Sequence, residues 1–95
     1  MKRDYEGVFI FAPTTGEEER NNLLERFKSI IEAAGSVTNL DEWGSRKLAY
    51  EIEDFKEGYY VLINFEAESS VVQELERISK INDSIIRNMI IRVDE

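Results

Sequence analysis

The chain of 95 residues contains no cysteine and no histidine. The missing cysteine excludes disulfides, thiolate metal sites and a cysteine nucleophile. The missing histidine removes the usual base at neutral pH and the commonest metal ligand. General acid–base catalysis would have to depend on carboxylates alone, and the acidic clusters do not have the spacing of a calcium-binding loop. The sequence therefore predicts a protein that is not an enzyme, with no catalytic residue, no metal, no cofactor and no small-molecule substrate.

Long apolar runs and positive charge are also scarce. No apolar run is long enough to cross a bilayer, and the segment Met1–Glu6 lacks the apolar core of a signal peptide. The 20 acidic residues outnumber the 12 basic ones, which gives a net charge of -8. The summed field of such a chain repels phosphates, although it permits a local basic site and favours a basic protein partner. We expect a cytoplasmic protein that does not contact a membrane.

What the chain has is enough apolar material for one core. Its apolar fraction is 42%, with five phenylalanines, four tyrosines and one tryptophan. A chain of this length folds as one domain, predicted here over residues 1–95.

Hydrophobic periodicity predicts six elements. Strands are expected over residues 5–11, 36–52, 59–66 and 85–93, because apolar or β-branched residues alternate or run continuously there. A break or bulge is expected near Trp43-Gly44 and a turn over residues 54–58. One helix follows Thr14-Thr15-Gly16, and the other begins near Ser69 or Ser70.

The predicted helices have recognisable ends and one apolar stripe each. Capping boxes are expected for Thr14 with Glu17 or Thr15 with Glu18, and for Ser70 with Gln73. Gly35 is expected to stop the first helix. The first stripe consists of residues at spacings of three and four: Leu23, Leu24, Phe27, Ile30, Ile31 and Ala34.

The order strand, helix, strand, strand, helix, strand predicts an α+β fold. Both apolar helix stripes must lie on the same face of a four-stranded antiparallel sheet, which gives a two-layer sandwich of ferredoxin-like type, βαββαβ. The other face has no helix to cover it, yet it carries apolar residues such as Val8, Ile10 and Leu62. An exposed apolar surface of that kind usually marks a partner surface.

The same strand order occurs in RNA-recognition motifs, whose main signature lies on the third strand. There the chain reads Glu57-Gly58-Tyr59-Tyr60, followed by Asn64 at the last aromatic position. Gly58 and Tyr59 fit the signature, whereas Glu57 and Asn64 replace a cation and a stacking ring. Tyr59 is also explained as a core or turn residue.

Six basic residues are candidates for RNA contact, because guanidinium and ammonium groups bind phosphates. They occur in three places that the fold brings towards one another: Lys2, Arg3, Arg46, Lys47, Arg87 and Arg92. Each of them taken alone is better explained as a solubilising group or as the partner of an acidic side chain. Trp43 is similarly open to two interpretations, as a packed anchor or as a ligand platform.

A family resemblance adds to these patterns. The most specific segment is Trp43-Gly44-x-Arg46-Lys47-Leu48-Ala49-Tyr50-x-Ile52, and it is supported by Arg3-x-Tyr5-Glu6 and Arg87-x-Met89. Across nearly all 95 residues the chain resembles the bacterial small-ribosomal-subunit protein six family. The resemblance implies a ferredoxin-like structural protein of the ribosome that binds small-subunit ribosomal RNA in its central domain. It also implies a heterodimer with the basic small-subunit protein eighteen.

A second function remains open at this point. The same fold serves in ligand-binding regulatory domains, which usually have a glycine-rich loop between the first strand and the first helix. Pro13-Thr14-Thr15-Gly16 is the candidate segment for such a loop.

Overall fold

The computed structural model describes residues 2–93, which form two helices and four strands in the predicted order. Met1, Asp94 and Glu95, at the ends of the predicted domain, lie outside the described residues. The elements in chain order are β1 (Arg3–Phe11), α1 (Glu17–Glu32), β2 (Ser36–Ile52), β3 (Phe55–Ala67), α2 (Ser69–Ile81) and β4 (Ile85–Arg92).

The four strands form one antiparallel sheet in the order β2-β3-β1-β4. The first strand is central, because β1 pairs with β3 on one side and with β4 on the other. The edges are therefore β2 and β4. Both helices contribute to a single core on one face of the sheet, which confirms the predicted two-layer sandwich.

Strand alternation decides which residues enter that core. Phe9 and Phe11 of β1 are fully buried, and Val61 lies opposite Phe9 on β3. The Phe9 ring packs against Phe27 of α1 with centroids 4.9 Å apart. Truncation of either ring to alanine typically costs about 3–5 kcal/mol at such a site. The predicted inward face of β1 is confirmed.

The helix starts differ from the capping predictions. Gly16 is the N-cap of α1 and has no side chain to cap with, while the Thr15 hydroxyl donates a long hydrogen bond of 3.5 Å to the Ser84 carbonyl oxygen. The N-cap of α2 is Glu68, again without a side-chain capping bond. The predicted capping boxes are therefore wrong. Thr15 is used to join distant parts of the chain instead, and Ser69 and Ser70 already lie inside α2.

Gly35 also has a different role from the one predicted. The helix α1 ends at Glu32, and Ala33 is its C-cap in the right-handed region. A Cβ atom on Gly35 would lie 1.9 Å from the carbonyl oxygen of Glu66. Gly35 is therefore required by the close approach of two backbones. Ala34, predicted as part of the apolar stripe of α1, is exposed beyond the end of the helix.

The turn between β2 and β3 lies earlier than predicted. Ile52 pairs with Phe55, so Glu53 and Asp54 form the two-residue turn, with φ values of 50° and 70°. Positive φ at both central positions is typical of the type I′ turn, whose twist matches that of a β-hairpin. Residues 55–58, predicted as a turn, belong to β3.

Candidate functional site

The sheet face that carries no helix is called the open face here. Register and alternation place Val8 of β1, Leu62 of β3 and Met89 of β4 on it. Ile91 lies two residues further along β4, on the same face. Met89 is 52% exposed and Ile91 is 46% exposed, so the β4 side of the open face presents apolar surface to solvent. This is the uncovered apolar surface that the sequence predicts.

A bulge in β2 brings an aromatic residue and a cation to the same open face. Glu42 pairs with Val61 and Gly44 pairs with Tyr60, so Trp43 and Gly44 together lie opposite Tyr60. In a regular strand, positions 43 and 46 would point to opposite faces, because side chains alternate. The extra residue reverses that alternation, and both Trp43 and Arg46 lie on the open face.

The side chains of Trp43 and Arg46 also lie close together on the open face. The rings of Trp43 and Tyr60 stack with centroids 6.2 Å apart and an interplanar angle of 15°. The guanidinium carbon of Arg46 lies 6.0 Å from the centre of the Trp43 ring. The indole Nε1 donates a hydrogen bond of 3.1 Å to Asp41. Trp43 nevertheless remains 41% exposed, so the ring is oriented without being covered.

The side chains of the basic pair Arg46-Lys47 point to opposite faces of β2. Arg46 pairs with Gly58 and Lys47 pairs with Glu57, so the two cations project to opposite sides of the hairpin. Both side chains are exposed. Only Arg46 lies beside the Trp43 ring.

Beyond Lys47, β2 leaves the regular ladder. Four residues, 48–51, separate its pairs with Glu57 and Phe55, where β3 has one. The predicted strand therefore continues to Ile52, but residues 48–51 of it are not regularly paired with β3. Tyr50 is 61% exposed, and its hydroxyl accepts a hydrogen bond from Arg87 of β4.

That hydrogen bond lies at a small open pocket between the end of the hairpin and the open face. The pocket has a volume of about 170 Å³. Most of its lining side chains are apolar, among them Val8, Ile10, Leu48 and Met89. Tyr50 and Arg87 line it as well. Arg87 therefore lies at an apolar pocket as well as at the hairpin.

The six predicted RNA-contact residues fall into two groups rather than one. Arg46, Lys47 and Arg87 lie towards the outer end of the hairpin. Lys2 and Arg3 lie at the start of β1, and Arg92 pairs with Tyr5 at the same end of the sheet. Arg87 and Arg92 are five positions apart on β4, a distance of about 17 Å along a strand.

Tyr59, the residue that fits the RNA-recognition signature, lies on the core side of the sheet. It pairs with Phe11, and its hydroxyl donates a hydrogen bond of 3.1 Å to Glu42. The guanidinium carbon of Arg20 lies 3.7 Å from the centre of its ring. Partial burial raises the pKa of the Tyr59 hydroxyl above 10.0, and the Glu42 carboxylate acts in the same direction. The next residue, Tyr60, is the one on the open face.

The loop considered for ligand binding borders a polar cleft of about 460 Å³. Thr14 and Thr15 line it together with Lys80, and three carboxylates face the same space: Glu19, Glu53 and Asp83. Among residues 2–93 no group of three or more acidic side chains is arranged to hold a metal ion. No helix in the described part of the chain is long and apolar enough to span a membrane.

Fold and surface together define a small α+β protein whose exposed sheet face combines apolar, aromatic and cationic groups. Comparison with known proteins identifies the class further. The family model for ribosomal protein S6 matches residues 4–92. The chain belongs to the ribosomal protein S6 family.

Individual relatives cover nearly the whole chain. The small ribosomal subunit protein bS6 of Thermoanaerobacter pseudethanolicus is 57% identical over 94 residues, which is 98% of this chain and 99% of that protein. The bS6 protein of Alkaliphilus metalliredigens is 56% identical over 91 residues, 96% of this chain and 97% of its own length. The crystal structure of 30S ribosomal protein S6 from Thermotoga maritima superposes with a TM-score of 0.89 at 43% identity. That match covers 98% of this chain and 89% of the other.

Family membership confirms several predictions. The chain is a structural protein of the small ribosomal subunit, it is not an enzyme, and its location is the cytoplasmic ribosome. The ferredoxin-like fold is confirmed as well. The ligand-binding regulatory domain, predicted as the alternative, gains no support from the family.

Sequence reasoning did not single out Tyr60 or Tyr50 as residues of the site. The odd spacing between Trp43 and Arg46, with a glycine between them, was the available signal that a bulge could place both on one face. The contact of Tyr50 with Arg87 had no comparable signal, because it depends on the path of the hairpin in space.

Proposed function

We propose that the chain binds small-subunit ribosomal RNA of the central domain as a heterodimer with small-subunit protein eighteen. The observation that carries this proposal is the division of the open face. Its β4 side is apolar, with Met89 and Ile91, and its hairpin side presents Arg46 beside Trp43.

The cationic side is suited to RNA. Guanidinium groups bind phosphate oxygens in a bidentate manner and also stack on bases. We assign phosphate contacts to Arg46, Lys47 and Arg87, and a second contact region to Lys2, Arg3 and Arg92 at the other end of the sheet. The two regions are far enough apart to contact different parts of a folded RNA.

The apolar side is suited to a protein. The net charge of -8 opposes the approach of the isolated chain to RNA, so a basic partner offsets that repulsion and adds phosphate contacts of its own. A partner that covers Met89 and Ile91 would remove their apolar surface from water, which is the main favourable contribution in most protein association.

The RNA assignment is tested by mobility-shift titration of a central-domain RNA fragment, with and without the partner protein. The double variant Arg46→Ala/Lys47→Ala is expected to bind roughly tenfold or more weakly. The slope of log affinity against log salt should fall by about 0.9 for each lost contact if the RNA behaves like B-DNA. Arg26→Ala/Lys28→Ala, which removes one arginine and one lysine from α1, is the matched control. Equal binding by the double variant and the control would refute the assignment of this pair.

The partner assignment is tested separately by heterodimer formation in gel filtration. Met89→Glu is expected to abolish the heterodimer, because it places a charge in the apolar side of the open face. Ile81→Glu is the control, since Ile81 is 66% exposed at the end of α2, in the other layer. If both variants pair normally, the open face is not the partner surface.

A further inference from the structure

The bulge at Trp43-Gly44 is built to hold the indole in one position. The φ of Gly44 is 88°, a conformation that residues with a side chain rarely adopt, and a Cβ there would meet no atom within 4 Å. Glycine is therefore needed for backbone geometry and not for space. Its effect is to place Trp43 opposite Tyr60, where the two rings stack.

The indole is fixed on one side and at its edge. Tyr60 lies parallel to it within 15°, and Asp41 accepts the Nε1 hydrogen bond at 3.1 Å. A tryptophan that serves as a packing anchor is usually well buried, whereas Trp43 keeps 41% of its surface exposed. The arrangement orients a large aromatic surface and leaves it accessible, which lowers the entropy cost of binding a flat ligand.

Charge beside the ring indicates what kind of flat ligand fits. The Arg46 guanidinium carbon lies over the Trp43 ring, 6.0 Å from its centre. A cation next to an aromatic surface is the combination that single-stranded nucleic acids require, one group for the phosphate and the other for the base. Arg46 opposes the insertion of an arginine or lysine from a basic protein, and the Asp41 carboxylate, which would attract such a cation, accepts the hydrogen bond of the indole Nε1.

We propose that the stacked rings of Trp43 and Tyr60, called the Trp43–Tyr60 platform, bind one unpaired nucleobase by stacking. Arg46 contacts the phosphate that adjoins this base. The inference rests on the proposed RNA-binding function and adds to it a base contact on single-stranded RNA, distinct from the phosphate contacts of the basic residues. Every base has a stacking surface, so the platform tolerates different sequences.

Trp43 is the only tryptophan, so its fluorescence reports on this position alone. The full-length chain, alone and with its partner protein, is titrated with the central-domain RNA fragment, with a short single-stranded oligoadenylate and with an RNA duplex of equal length. We expect saturable quenching by the fragment and by the single strand, and no quenching by the duplex. A duplex that quenches as strongly as the single strand would overturn the inference.

Affinity is then measured by mobility shift for Trp43→Leu and Trp43→Phe. The leucine variant is expected to bind the RNA fragment roughly 5- to 150-fold more weakly, the range given by the loss of one base stack. The phenylalanine variant keeps an aromatic ring and should recover most of that loss. Thermal unfolding confirms that both variants fold.

The outcomes separate the platform from the proposed function. If Trp43→Leu binds RNA normally while Arg46→Ala/Lys47→Ala does not, the platform is refuted and RNA binding stands. If the partner protein alone quenches Trp43 and RNA causes no further change, the ring is a protein contact and the platform is again refuted. If the unaltered chain binds no RNA even with its partner, both proposals fail.

Discussion

Arg87 donates a hydrogen bond to the hydroxyl of Tyr50, and this contact joins opposite edges of the sheet. Tyr50 belongs to β2 and Arg87 to β4, with β3 and β1 between them. In a flat sheet these edge strands would lie about 14 Å apart. The irregular segment at residues 48–51 lets the hairpin curl over the open face, so that the two edges meet.

Tyr50→Phe tests whether this contact holds the hairpin. Because the hydrogen bond is exposed, its removal should lower the free energy of unfolding by about 1 kcal/mol or less. Amide hydrogen exchange at residues 48–52 should become faster, since opening of this segment no longer breaks the link to β4. Exchange across α1, far from the contact, serves as the internal control. Unchanged exchange at residues 48–52 would show that Arg87 does not restrain the hairpin.

Gly44→Ala tests the bulge. At a φ of 88° a Cβ atom introduces backbone strain, and we expect a loss of about 1–3 kcal/mol in urea unfolding. Ser45→Ala changes the next residue, an exposed position without a positive φ, and should stay within about 0.5 kcal/mol of the parent chain. Equal stabilities of the two variants would mean that the strand adapts its register without cost.

Gly35→Ala and Gly58→Ala should destabilise the chain to different extents. At Gly35 the added Cβ lies 1.9 Å from the Glu66 carbonyl oxygen, which belongs to the backbone of β3 and cannot move alone. At Gly58 the nearest atom is Cγ2 of Ile10, at 2.4 Å, and a side chain can shift. We therefore expect Gly35→Ala to destabilise the chain by several kcal/mol and Gly58→Ala by about 1–3 kcal/mol. The reverse order in urea unfolding would contradict this account.

Tyr59 makes stability sensitive to alkaline pH. Partial burial raises the pKa of its hydroxyl in the folded chain, and the Glu42 carboxylate raises it further. The folded state then holds this proton more tightly than the unfolded state does. The resulting stability is fully present below the unfolded pKa of about 10 and is lost as pH rises through the higher folded pKa.

The measurement is urea unfolding from about pH 8 to about pH 11, where phenol titration begins and proceeds. Tyr59→Phe cannot ionise, so its stability should fall less over this interval than that of the parent chain. Glu42→Gln keeps an acceptor but removes the charge, and should give an intermediate slope. If Tyr59→Phe follows the same curve as the parent, the alkaline loss arises elsewhere.

Predictions from the sequence succeeded where the pattern was local and repetitive. The alternation in β1 identified its core face correctly, and the apolar spacing of α1 identified Leu23, Phe27 and Ile31 as buried. These signals are strong because apolar residues recur in the sequence with a period of two in strands and of 3.6 in helices.

Failures occurred where a residue responds to a distant part of the chain. Thr15 contacts Ser84 instead of capping α1, and Gly35 is dictated by the backbone at Glu66. The turn was predicted over residues 54–58 because Gly58 is there. Glu53 and Asp54 form it instead, with positive φ values that non-glycine residues seldom adopt. None of these relationships follows from a local window.

The same distinction applies to the candidate site. Arg46 and Arg87 were named from charge and family resemblance, while the alignment of Arg46 with Trp43 and Tyr60 depends on the strand register. Register belongs to a pair of strands and cannot be read from either one alone.

The three register shifts in β2 also affect how the molecule meets others of its kind. An edge strand of 17 residues offers a long template on which another chain can add a strand, and such pairing leads to aggregation. The shifts near residues 38, 43 and 48–51 interrupt that template into short pieces. The opposite edge, β4, has eight residues and exposed apolar side chains. When the open face is uncovered, self-association should therefore begin at β4. A protein that covers this face would also prevent copies of the chain from aggregating.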